Sequence, residues 1–344
     1  MSSVEFIDPL RDDGYAALAA SAPDAKIFHD RLWLELLRDE YDYEIGACVV
    51  REGDRVQAAI PFARIDSRLT GKRLVALPFS DDCPPLLAPD APLEALGSLG
   101  EALAEHAHAG RRDLTVHAAL PSVPAGHVSE RFVQHRRLLP TDPDEAEAGC
   151  SKSFRQSVRR AKREGLTIER RTDALGLDSF YRLHLQTRRR LGVPTQPKSF
   201  IARFERIFAA GRGGVWLVRD GEQTIAAAVF LTHGRTVTHK YGASDAASLP
   251  KCPNNLLMAE AIREHAARGF ELFDFGRCDL DNPGLRKFKR GMGAEELTLS
   301  YTYLSEPAPP GAPSLKDKVM TATIRRSPAL VGRLAGEVLY RHVG

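Results

Sequence analysis

Residues 50–62 read VREGDRVQAAIPF, and residues 218–230 read VRDGEQTIAAAVF. Val, Arg, Gly, a pair of Ala and a closing Phe recur at one spacing, and in both copies the Gly sits between two acidic residues. Each copy carries the marks of a β-hairpin: an apolar strand, an acidic-Gly-acidic turn and a second apolar strand. Further along, residues 101–110, EALAEHAHAG, match residues 260–269, EAIREHAARG, and both show helical apolar spacing that stops at a Gly. A strand-like run follows each, DLTVHAAL in the first half and ELFDFG in the second. A chain that repeats helices, hairpin, strand, helix and strand folds as one small architecture used twice. The order predicts α+β domains whose mixed, mainly antiparallel sheets are flanked by helices.

Residues 138–149, LLPTDPDEAEAG, lack periodicity and read as the linker between the halves. The expected domains are therefore 1–145 and 146–305. A Pro-rich break at 305–313, SEPAPPGAP, sets off a tail, 306–344, with Leu330, Leu334 and Leu339 at helical spacing among Lys and Arg. Packing of this tail back on the first domain is expected. Peripheral membrane contact through a surface helix is the alternative.

With 344 residues, 43% of them hydrophobic, the chain can bury large cores, which excludes a disordered protein or a small stapled scaffold. Its five cysteines are scattered with no CxxC pair, so neither a disulfide framework nor a zinc site is expected. The acidic N-terminal stretch has no signal-like apolar core, and no apolar run nears the roughly 20 residues of a spanning helix. A cytoplasmic protein without metal is the expectation.

Net charge is only +3, but its distribution is uneven. Between residues 152 and 171 eight Lys or Arg face two Glu, a local balance of +6 that leaves the remainder of the chain at −3. As a helix, SKSFRQSVRRAKREG places Phe154, Val158 and Ala161 on one face, with Arg155, Arg159, Lys162 and Arg163 on another. A basic face of this density suits phosphates of a polyanion, and it suits a plain solvated helix face equally. A second cluster, Arg188, Arg189 and Arg190, closes a predicted helix, where positive charge also answers the macrodipole.

No Walker loop, HExxH, GxSxG elbow or paired Cys/His set occurs. The segment from SKSFRQSVRRAKREG through TRRRLGVPTQP, the strand HKYGAS and the loop FDFGR leading to the pair Phe288-Lys289 resemble the Fem-type aminoacyltransferases. These are tandem GNAT-like (acyl-CoA N-acyltransferase-like) proteins that move amino acids from aminoacyl-tRNA to an amine of a peptidoglycan precursor. The resemblance spans roughly residues 25–305.

It implies a cell-wall transferase that takes aminoacyl-tRNA and an amine-bearing precursor and needs no cofactor. It also implies a reaction cleft in the second domain. Lys289 is implied as the group supporting acyl transfer, since a cation there can stabilise the oxyanion formed when an amine attacks an ester. His239, Asp274 or the substrate itself could take the amine's proton, and Tyr241, Phe288, Arg277, His117 and Arg189 are candidates to contact substrate. His239 and Tyr241, two residues apart on one strand, are expected on the same face.

Departures are visible too. Leu37 and Gln196 stand where relatives acting on UDP-linked precursors carry basic residues, and His117 stands in place of an Asp. Acetyl-CoA enzymes of this fold cradle the pyrophosphate with a glycine-bearing turn at a helix N-terminus. Here the matching turn is ASDAASLPKCPNN. An acyl-CoA donor is accordingly the alternative, and an RNA- or polymer-binding module without chemistry a further one.

Overall fold

The computed structural model describes residues 2–306 and 315–343. The Pro-rich break at 305–313 thus lies almost wholly outside the described residues. Two compact units divide the chain: one takes the residues up to Val133, the segment from Thr298 and the last residues from Arg341, and the other takes Gln134–Leu297 and the tail up to Tyr340.

The first unit opens with β1 (Ser2–Ile7), α1 (Asp13–Ser21) and α2 (Arg31–Tyr41). Strands β2 (Glu44–Glu52), β3 (Arg55–Ser67), β4 (Gly71–Ala76) and the short β5 (Leu86–Leu87) follow. Helix α3 (Glu94–Ala109), β6 (Asp113–Val116) and β7 (His127–Leu138) complete it, β7 ending inside the second unit. Its ladder runs β1-β2-β3-β4-β6, antiparallel until β4 and β6 pair in parallel across the α3 crossover. Asp12 and Asp30 cap the two first helices with side-chain acceptors for otherwise orphaned amides.

The second unit contains α4 (Lys152–Arg163), β8 (Thr167–Arg171), α5 (Ala174–Leu191), α6 (Lys198–Ala202) and α7 (Phe204–Ala209). Next come β9 (Gly213–Asp220), β10 (Gln223–His233), β11 (Thr236–Ser244), α8 (Pro253–Ala267) and β12 (Leu272–Asp279). Helix α9 (Pro283–Gly291) and the start of β13 (Glu295–Tyr303), a strand that passes into the first unit at Thr298, follow, then the tail helices α10 (Leu315–Arg326) and α11 (Ala329–Val343). Strands β8, β9, β10 and β11 pair antiparallel in that order, and β11 then pairs β12 in parallel across the α8 crossover.

Register confirms that one architecture is used twice. In the first hairpin the β2–β3 pairing shifts between Val50 and Arg51, leaving Gln57 as an extra residue on β3. In the second the β9–β10 pairing shifts at the equivalent place, leaving Ile225 extra on β10. Both bulge residues turn a carbonyl to an amide of later chain, Gln57 to Ala88 and Ile225 to Asp245, at 2.8 and 2.9 Å. The repeated helices dock alike: His106 lies 6.0 Å from Phe62, and His265 lies 5.7 Å from Phe230. A bulge is retained because its extra residue redirects every side chain beyond it.

Two expectations change. The stretch 138–149 is built into the second unit: Ala146 belongs to its core, and the buried Arg137 donates to the carbonyls of Ala146 and Met292. The boundary between the units falls within β7, because that strand ends among second-unit residues. Most of the tail also lies on the second unit, where Tyr340 Oη meets Arg188 and the Pro194 carbonyl. A Cβ on Gly336 would collide with the Thr195 carbonyl, so only a glycine lets α11 approach so closely. The last residues return to the first unit, the His342 carbonyl accepting from Arg73 at 2.7 Å.

Phe62 and Phe230 are both buried and hold equivalent places in the two units. Phe62→Ala and Phe230→Ala are each expected to lower the stability of their own unit by about 3–5 kcal/mol, measured by denaturant unfolding. An exposed control, Leu138→Ala at 79% exposure, should change it little.

Candidate active site

The paired part of β11 and β12 is short. The parallel register runs from Thr236–Leu272 to Thr238–Asp274, while β11 continues to Ser244 and β12 to Asp279. Two local devices turn the strands at this point. On β11 the register against β10 jumps from Tyr241–Val229 to His239–Phe230, which leaves Lys240 as a bulge residue. On β12 Gly276 adopts φ +71°, a left-handed conformation that favours glycine.

The bulge corrects one expectation. Cross-strand partners share a face, and Val229 and Phe230 are adjacent residues facing opposite ways, so Tyr241 and His239 lie on opposite faces of the sheet. Tyr241 sits among Phe180 and His184 of α5 and Phe204 of α7, its ring 6.1 Å from Phe204 and nearly parallel to it. His239 lies 5.4 Å from Phe230, on the side of His265 of α8. The ammonium of the buried Lys240 stands 5.2 Å over the Tyr241 ring.

Asp274 and Lys289 meet at Gly276. The Gly276 amide donates to Asp274 Oδ1 at 2.8 Å, and Gln134 Nε2 donates to Oδ2 at 2.9 Å. From α9, Lys289 Nζ donates to the carbonyls of Gly276 at 2.8 Å and Arg277 at 2.9 Å. Both side chains are buried, at 2% and 4% exposure, so they act on the strand end rather than standing in open solvent. FDFGR, expected as a loop, is part of strand β12, and the segment carrying Phe288-Lys289 is a helix capped by Asn282 whose last-turn Lys289 points inward.

A second layer, which the sequence does not reveal, holds α9 in place. His135, fully buried on β7, bonds through Nε2 to Glu296 at 3.0 Å. Glu296 in turn takes both forks of Arg286, at 3.0 and 2.6 Å. The Arg286 guanidinium draws the Glu296 carboxyl down to about 2, while burial first and then the charge of Lys289 push the His135 imidazole below its ordinary 6.5. His135 Nδ1 has no hydrogen-bond partner among the described residues.

Phe288 is half-buried and lines an open cleft of about 450 Å³ with Phe154, Asn255, Lys287 and Arg290. The α4 face behaves as its spacing predicts, burying Phe154, Val158 and Ala161. Its basic side is divided in use. Arg155 donates to the Ala148 and Cys150 carbonyls and Lys162 pairs with Glu260 at 3.2 Å, whereas Arg159 and Arg163 stand exposed.

Arg188 and Arg190 bond to the Pro194 and Ser244 carbonyls, and Arg189 is exposed. His117 belongs to the first unit, stacked 4.5 Å from Tyr301 with Nδ1 3.1 Å from Ser80 Oγ. The turn into α8 is made by a short 3-10 segment, Leu249–Lys251, with Cys252 at φ +59° and Pro253 at the first helical position. It contains no glycine.

Residues 148–290 match the family described as acetyltransferase (GNAT) domain. Among solved structures, FemX superimposes with a TM-score of 0.68 at 15% identity, over 87% of this chain and 96% of its own. The C-terminal domain of a putative lysylphosphatidylglycerol synthetase from Agrobacterium fabrum gives 0.57 at 14% identity, over 85% and 90% of the two chains. A tandem GNAT protein from the clavulanic acid biosynthesis pathway gives 0.53 at 15% identity, over 89% and 100%. No protein of curated function matches the chain in sequence. The fold is the tandem GNAT fold.

Protonation of the layer beneath α9 has a defined sign. His135 titrates below 6.5 when folded, so the stability it contributes is present above 6.5 and lost as pH falls below it. Glu296 contributes stability present above its ordinary 4.5 and lost as pH falls toward about 2. The urea midpoint should therefore fall on acidification, and His135→Gln should remove part of the fall that begins near 6.5.

Proposed function

We propose that this acyltransferase, whose residues 148–290 form a GNAT domain, moves an aminoacyl group from aminoacyl-tRNA to the amine of a peptidoglycan or related cell-envelope precursor. The observation that carries the reading is the turn into α8. It is built from Leu249, Pro250, Lys251 and Cys252 without the glycines that let backbone amides close around a pyrophosphate. The tandem arrangement that FemX shares over 87% of this chain supports the same assignment.

In the reaction the acceptor nitrogen attacks the ester carbonyl, an N–C bond forms, the ester C–O bond breaks, and the nucleoside hydroxyl leaves with a proton. Positioning of amine and ester supplies most of the acceleration. Lys289 contributes a fixed positive charge beneath the strand end, where low solvent access strengthens its field on a developing oxyanion. Asp274 is a positioning residue that holds Gly276 in its left-handed turn. The partly exposed His239 is the acceptor for the amine's proton, and Arg277, Phe288 and Arg189 contact substrate. Arg159 and Arg163, exposed on α4, and Arg155 and Lys162 beside them, offer the tRNA its phosphate contacts. An acyl-CoA donor is the second reading, favoured by the match to an acetyltransferase domain.

Transfer from charged tRNA to amine acceptors, followed with labelled amino acid, tests the assignment. Lys289→Ala should lower kcat about a hundredfold or more. Arg159→Glu with Arg163→Glu should raise KM for tRNA and flatten its salt dependence. Transfer from an acyl-CoA in place of every charged tRNA would reassign the donor.

A further inference from the structure

We infer that the helical pair α10–α11 docks the protein on an anionic bilayer surface. The seating of α11 decides which of its faces is free. Gly332 and Gly336 lie against Thr195, the Thr195 amide donates to the Gly332 carbonyl at 3.0 Å, and Tyr340 reaches the Pro194 carbonyl. The opposite face then carries Leu330, Leu334 and Val338, four residues apart, at 56%, 52% and 60% exposure. Val319 of α10 is 57% exposed. A single exposed Leu is ordinary, but a stripe of three on one helix face marks an interaction surface.

Charge selects the occupant. From Leu315 to the end of the chain six Lys or Arg stand against two Asp or Glu, in a chain whose net charge is only +3. Lys318 and Arg326 are exposed on α10. Apolar side chains flanked by basic ones suit an interface of acyl chains beneath anionic headgroups. At 15 residues α11 is about 22 Å long, short of the roughly 30 Å hydrocarbon core, and no helix among the described residues is long and apolar enough to cross a membrane. The element lies on the bilayer. This inference does not depend on the identity of the acyl donor.

Flotation of the full chain with phosphatidylcholine vesicles, with and without phosphatidylglycerol, tests it. Binding should require phosphatidylglycerol and weaken with salt. Leu334→Glu with Val338→Glu, and separately Lys318→Glu with Arg326→Glu, should each lower partitioning about tenfold or more, while acyl transfer to a soluble acceptor stays unchanged. Both natural tryptophans, Trp33 and Trp216, are buried, so Leu334→Trp reports the contact directly by a blue shift on anionic vesicles, even if a charged variant misfolds. Equal binding by the variants, no dependence on phosphatidylglycerol, or self-association of the chain that the same variants abolish would overturn the inference.

Discussion

Asp274 accepts the amide N–H of Gly276 while Lys289 donates to the carbonyl of the same residue, and between these two bonds the backbone takes its left-handed turn. The turn stands just past the point where the β11–β12 register stops. Without it β12 would run on beside β11. A buried ammonium bound to two carbonyls and a buried carboxylate bound to two donors are costly to break, since each would leave an unpaired charge behind. The strand end is therefore firmly held, as the proposed transfer, which works by holding reactants, requires.

Rigidity is passed outward through α9. Lys289 reaches inward from its last turn, and Arg286, one turn earlier, is clamped by Glu296, which also holds His135. These residues come from β7, α9 and β13, so the site is framed by chain more than 150 residues apart. Unequal development of the two copies fits this picture. In the second, β11 runs on past its bulge to Ser244; in the first, β4 ends at Ala76 and the short β5 pairs with β3 instead. Among the described residues, the second copy has a strand that runs well past its pairing with its parallel neighbour, β11 beyond Thr238.

The repeats VREGD and VRDGE, the amphipathic α4 and the helices ending at Gly110 and Gly269 were legible because each rests on local physics: strand alternation, helical spacing and the conformational freedom of glycine at a turn. The resemblance to the Fem-type transferases pointed to Lys289 and Asp274 without showing that both act on Gly276. The faces of His239 and Tyr241 were not legible, because one extra residue at Lys240 inverts the alternation and leaves no mark in the sequence around it. Likewise Gln134, His135 and Glu296 carry no local signal, since their roles arise only from packing across the sheet.

By itself, then, the sequence determined that one α+β unit is used twice, that α4 presents a basic face and that the tail is helical and basic. Those are properties of neighbours along the chain, which short-range sterics and periodicity enforce. Tertiary structure alone decided where the ladder ends, which residues grip Gly276, and that Gly336 seats α11 so that Leu330, Leu334 and Val338 face outward. Such outcomes depend on which distant backbone atoms come within bonding distance, and that follows only when the whole core has packed.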